Sequence, residues 1–125
     1  MIEIKFRGKR TDNGEMWYGD LSHHTTGKVF IKDIKKGING TFEVVFNTIG
    51  QFTGLYDKND KEIYEGDIVS LNKDLLGSYV VRYDSKNARF SMYRDNYEQA
   101  GFNLETMKNY EVIGNVYDNP ELTKE

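Results

Sequence analysis

At 125 residues and 14.5 kDa, with nine Tyr, seven Phe and one Trp, the chain suits one domain, or one small barrel with a substantial extension, and can bury a real core. The absence of cysteine excludes disulfides, thiolate metal sites and cysteine nucleophiles. A net charge of −3 gives no global attraction to nucleic acid, no apolar run approaches the roughly 20 residues of a membrane span, and the N-terminus lacks a signal-peptide apolar stretch, so a soluble cytoplasmic protein is expected.

Ile2 to Arg7 alternates apolar and charged residues, the period-2 mark of a half-buried strand. Ile2, Ile4 and Phe6 are expected in the core, with Glu3, Lys5 and Arg7 in water. Thr11-Asp12-Asn13-Gly14 is a tight turn, because Asn-Gly supplies the positive φ that a short hairpin demands. The partner strand is Met16 to Leu21, followed by a polar loop over 22–27 and a strand over Lys28 to Ile34. Residues 35–40 turn the chain into a strand over Thr41 to Phe46.

Residues 49–71, IGQFTGLYDKNDKEIYEGDIVSL, carry the strongest pattern: a strand, a turn without apolar residues over 57–61, a short extended run, and a corner at Gly66-Asp67 feeding a β-branched strand. Glu15 to Leu21 and Glu62 to Ile68 echo one another, each following a polar turn and closing with Gly-Asp and an aliphatic residue. A second echo pairs Ile49-Gly50 with Ile113-Gly114, and reuse of one hairpin geometry explains both. Residues 72–77 read as a loop, and Ser78 to Tyr83 with Ala88 to Tyr93 as a hairpin around 84–87. A short helix fits within 98–107, with Gly101 inside it. Tyr110 to Tyr117 is the last strand, and Asn119-Pro120 has the form of an N-cap and a first helical residue.

The blocks IGQFTGLYDKNDKEIYEGDIV, YVVRYDSKNARF and YEVIGNVYDNPEL, in this order after KFRG and MWYGD, resemble the YopX-like family of phage and prophage proteins over nearly the whole chain. The resemblance implies a mainly-β protein whose C-terminal part is an SH3-type roll, expressed in a bacterial cytoplasm. It brings no activity, catalytic residue or ligand with it. The expected fold is an N-terminal β-hairpin region over 1–47 packed on an SH3-like barrel over 48–125.

Candidate chemistry is sparse. His23 and His24 are adjacent and point to opposite faces of a strand, so they do not chelate one ion. Asp20 near Ser22-His23 lacks the separate elements that a catalytic triad needs. The run from Asp57 to Glu62 resembles a calcium loop, but Lys61 and Glu62 stand where an oxygen ligand and a glycine are required. Asp67 is expected to bond backbone amides at the Gly66 corner rather than to act with Glu65 as an acid/base pair. Gly37 and Gly40 lack the strand–loop–helix context of a phosphate cradle. No cofactor or metal is expected.

Residues 1–40 hold eight basic against five acidic residues, a net +3, and the remainder carries −6. Lys5, Arg7, Lys9 and Arg10, close to Trp17 and Tyr18, form the candidate nucleic-acid or partner-binding surface: cations for phosphates and aromatics for base stacking. The competing reading is a strand edge that basic side chains protect from pairing, or an ordinary solvated face. Missing catalytic constellations and high aromatic content together favour a non-enzymatic phage accessory protein that acts through protein–protein contacts, self-association included. Nucleic-acid binding through the basic N-terminal strand is the alternative.

Overall fold

The structure is a computed structural model describing residues 3–72, 77–95, 97–99 and 101–123, with backbone alone at Ile38. It is mainly β. The strands are β1 (Phe6–Lys9), β2 (Met16–His23), β3 (Val29–Lys32), β4 (Thr41–Val44), β5 (Gly50–Tyr56), β6 (Glu62–Tyr64), β7 (Asp67–Ser70), β8 (Ser78–Asp84), β9 (Arg89–Arg94), β10 (Tyr97–Gln99) and β11 (Glu111–Asn115). They form two antiparallel sheets, in the orders β4-β3-β2-β1-β5-β6 and β10-β9-β8-β7-β11, with no closed barrel among the described residues. No helix among these residues is long and apolar enough to cross a membrane. The chain divides into two compact units, Met1–Phe52 and Thr53–Glu125, where the sequence alone places the division after residue 47.

In the first unit the Asn13-Gly14 turn closes the β1–β2 hairpin, with Gly14 at φ 74° and its N–H on the Arg10 carbonyl at 3.0 Å. Residues 16–19 of β2 pair with β1, and residues 20–23 pair with β3. Gly19 sits at the change of partner, where a Cβ would overlap the Lys32 carbonyl oxygen, so only glycine lets the two backbones approach there. Val29, Ile31 and Val44 form the core, with Phe6, Trp17, Leu21 and Ile49 packed against it. β4 returns to the far end of β1 through a bridge between Arg10 and Val44 and two hydrogen bonds, Thr11 N–H to the Glu43 carbonyl (3.0 Å) and Val45 N–H to the Lys9 carbonyl (2.8 Å).

Two expectations for the N-terminal segment fail together. Ile4 is 65 % exposed and Arg7 only 4 %, the reverse of the period-2 assignment, and the strand starts at Phe6. The reason is position: β1 lies between β2 and β5, so it is no edge, and its two central residues, one on each face, are both buried. Arg7 and Gly8 are buried consecutively, and a Cβ on Gly8 would stand 3.0 Å from the Val44 side chain. Ile2, also expected in the core, lies outside the described residues.

In the second unit, Ile63, Val69, Val81, Met92, Met107, Tyr110 and Val112 make one core. β7 is its centre: all four residues are buried, and β8 and β11 flank it. Gly66 at φ 94° makes the corner into β7, and Asp67 Oδ2 accepts the Tyr64 N–H at 2.7 Å. Gly19-Asp20 lacks this geometry, so the sequence echo is not a structural repeat: Gly19 lies within a strand and Asp20 is exposed. The helix expected within 98–107 is split. Tyr97–Gln99 forms β10, Gly101 takes φ 97°, and Asn103 caps a single turn, α1 (Leu104–Met107), by accepting the Thr106 N–H at 2.9 Å. Ala100, inside that expectation, lies outside the described residues, as do 73–76 of the loop expected over 72–77. The 3₁₀ turn Pro120–Thr123 starts where expected, with Asn119 before it and the Asn119 carbonyl accepting the Leu122 N–H at 3.0 Å. The Asn119 side chain turns back: its Oδ1 accepts the Asn115 N–H at 3.2 Å, against a β-bulge where only Gly114 leaves it room.

Candidate functional site

The β1–β2 hairpin builds a cluster of cations and rings. Arg10 donates twice to Asp12, Nε to Oδ1 at 2.9 Å and Nη2 to Oδ2 at 2.6 Å, with Glu15 at 3.9 Å from Nη1. Its guanidinium carbon lies 3.5 Å from the centroid of the Phe42 ring and 5.2 Å from that of Trp17. Trp17 meets Phe42 edge-on at 5.0 Å and donates Nε1–H to the Gly40 carbonyl at 2.8 Å. Lys36 Nζ stands 4.8 Å from the Trp17 ring centroid. The Arg10 hydrogen bonds hold the Asp12 carboxyl below its ordinary value and raise Arg10 in turn.

The six residues proposed from the sequence do not share one exposed basic face. Arg7 is buried, and Arg10 is held by Asp12 and two rings. Lys5 pairs with Glu3 at 3.5 Å and lies 5.0 Å from the Phe52 ring centroid. The Lys9 N–H donates to Thr48 Oγ1 at 2.8 Å, which anchors its backbone. Trp17 is half-buried within the cluster, while Tyr18, opposite Arg7 in the β1–β2 register, is 44 % exposed. The edge-strand alternative fails with them, because β1 is interior.

Sequence reasoning missed the apolar side chains left in water. Val45 and Phe46 are 42 % and 65 % exposed, and Ile34 is 67 % exposed. The signal was present: Val44-Val45-Phe46 is three apolar residues running, so no half-buried strand can bury them all. The strand stops at Val44, and Phe46 opens a 3₁₀ turn.

The other motifs are engaged structurally. His24 stacks on Phe30 with centroids 4.2 Å apart. Asp57 is buried: Oδ1 accepts the N–H groups of Asn59 (2.8 Å) and Lys61 (2.9 Å), and Oδ2 accepts that of Val112 (2.9 Å). No group of three or more metal-ligating side chains with the geometry to hold an ion occurs among the described residues.

Comparison with protein families matches residues 5–124 to the family described as YopX protein. Among solved structures, the chain is similar to protein EF1440 from Enterococcus faecalis, with a TM-score of 0.67 and 25% identity over 99% of this chain and 100% of that one. It is also similar in fold to protein yopX from Bacillus subtilis, with a TM-score of 0.54 and 20% identity over 100% and 98% of the two chains. A comparison with curated proteins gives no match.

Proposed function

The chain belongs to the YopX family, and from that premise we propose a non-enzymatic accessory protein of phage or prophage origin, working in the bacterial host's cytoplasm through protein–protein contacts that include self-association. The observation that carries this reading is Phe46, an aromatic side chain 65 % exposed beside the exposed Val45. Apolar groups held in water on a folded domain gain most when another chain covers them. The non-enzymatic reading is supported by Asp67, weighed above for acid/base chemistry, and by Asp57 of the calcium-like loop, since both are buried and accept backbone N–H groups. For the C-terminal part we retain the SH3-type roll as the fold type, on the succession of hairpin, Gly66-Asp67 corner and β7–β8–β9 meander. Nucleic-acid binding through the basic strand is less well supported, because Arg7 is buried and Arg10 is held by Asp12.

The test is sedimentation equilibrium of the parent chain and of Phe46→Asp. The parent is expected to sediment as a defined oligomer and the variant to shift toward the protomer mass. A variant whose association matches the parent's contradicts Phe46 as part of the contact.

A further inference from the structure

The register of the second sheet sets one row of side chains across its five strands. Tyr97 lies opposite Arg94, Tyr79 opposite Val69, and Val69 opposite Val112. The Arg94 guanidinium carbon lies 5.0 Å from the Tyr79 ring centroid, which joins the two halves of the row on one face. Exposure rises along it. Val69 and Val112 belong to the core, Tyr79 packs against that core, Arg94 is half-buried, and Tyr97 is 81 % exposed. The core of the second unit therefore runs out to the β10 rim through an arginine between two tyrosines.

Arg94 is also the only charged side chain that β8, β9 and β10 place on this face. Glu98, opposite Tyr93, and Asp84, opposite Arg89, stand on the other face, where both lie near Arg89 at 3.3 and 3.8 Å. Arg94 forms no ion pair among the described residues, and its Nη2 is shut off from solvent without a hydrogen-bond partner. The Tyr79 ring orients the guanidinium plane without neutralising its charge. A charged donor left unsatisfied is costly, and native proteins meet such donors with an acceptor. Here the face itself supplies no acid.

We propose that Tyr79, Arg94 and Tyr97 form a docking surface for a partner-protein segment that is apolar apart from one carboxylate. Tyrosine and arginine at the rim of a core are the residues that carry binding energy in protein contacts. The carboxylate answers the Arg94 guanidinium with charge-assisted hydrogen bonds, and the apolar neighbours cover the two tyrosines. A second copy of the chain does not fit, because a two-fold contact through this row sets two copies of Arg94 together with no acid between them. Nucleic acid fits less well, since residues 41–125 carry −6 and repel a polyphosphate backbone. The inference deepens the contact function proposed above and rests on it for the class of partner. The row lies wholly in the second unit and Phe46 in the first, so the two surfaces are tested separately.

The experiment is an NMR titration of the full chain with a capped pentapeptide holding one glutamate between valines. The same peptide with glutamine in place of glutamate, and a mixed-sequence oligonucleotide, are titrated beside it. Saturable shifts at Tyr79, Arg94 and Tyr97 are expected with the glutamate peptide. The glutamine peptide is expected to bind at least about tenfold more weakly, the worth of one charge-assisted contact. Tyr97→Ser, at an exposed position, is expected to weaken both peptides alike, and Arg94→Gln to bring the two to equal affinity. Where Arg94→Gln fails to fold, the comparison of peptides on the parent carries the test. Equal affinities on the parent, shifts that rise without saturating, or an oligonucleotide that saturates the same residues more tightly than the glutamate peptide overturn the proposal. A chain that sediments as a protomer yet discriminates the peptides overturns self-association alone, and a self-associated chain blind to them overturns this surface alone.

Discussion

Asp57 Oδ2 accepts the backbone N–H of Val112 at 2.9 Å across 55 residues of chain, while the same carboxylate closes its own turn through the N–H groups of Asn59 and Lys61. One buried side chain therefore ties the β5–β6 turn to β11, helped by the Lys58 N–H on the Tyr110 carbonyl at 2.9 Å. Removing it strands a buried donor and opens the turn. Asp57→Ala is expected to lower stability by about 3 kcal/mol in urea denaturation. A loss below about 0.5 kcal/mol would show that the tie is dispensable.

Two glycines in the left-handed half of backbone space separate steric from conformational cost. A methyl group added at Gly14 (φ 74°) would find nothing within 4 Å, whereas at Gly19 (φ 153°) it would meet the Lys32 backbone. Gly14→Ala is expected to cost about 1 kcal/mol through its φ alone. Gly19→Ala has to part β2 from β3 and is expected to cost about 3 kcal/mol or more. Thermal unfolding of the two variants side by side checks the ranking, which equal losses would refute.

The titrating groups set the pH limits. Asp12, through its hydrogen bonds from Arg10, and Asp84, through that from Asn87, are held below the ordinary 3.8. A depressed carboxylate gives stability that is present above the unfolded value and lost as pH falls through the folded one, so loss from these two begins near pH 4 and deepens below it. Tyr93 and Tyr110 are raised above 10.0, chiefly by burial, so their share is intact below pH 10 and is lost as pH rises through the higher folded values. Carboxyl and phenol titrations followed by NMR give the four values directly. Asp12 titrating at or above 3.8 would remove the Arg10 contact from the explanation.

Arg10 is expected to act through its plane as much as its charge. Arg10→Lys keeps the charge but loses both the paired hydrogen bonds to Asp12 and the stack on Phe42. It should lower the unfolding midpoint and alter Trp17 fluorescence, since Trp17 packs on the same ring. An unchanged spectrum and midpoint would reduce the cluster to a loose surface pair.

Much of the strand order was legible because its signals are local. Asn13-Gly14 fixes one hairpin, and the runs 78–83 and 88–93 match β8 and β9 within a residue or so. The errors fall where distant neighbours decide. Period-2 reading presumes that one face of a strand meets water, and β1 buries a central residue on each, so Arg7 went inside and the supposed basic face dissolved. Nor could spacing reveal that Asp57 bonds an amide 55 residues away, or that the Asn119 side chain turns back toward a bulge.

The most direct measurement is sedimentation equilibrium of the purified chain over a range of concentrations, with and without a mixed-sequence oligonucleotide, at low and moderate salt. A defined self-associated mass, indifferent to the oligonucleotide at both salts, is the expected result. A protomer mass at every concentration, joined by a salt-sensitive increase with the oligonucleotide, would contradict the contact function and return the basic N-terminal strand to the centre.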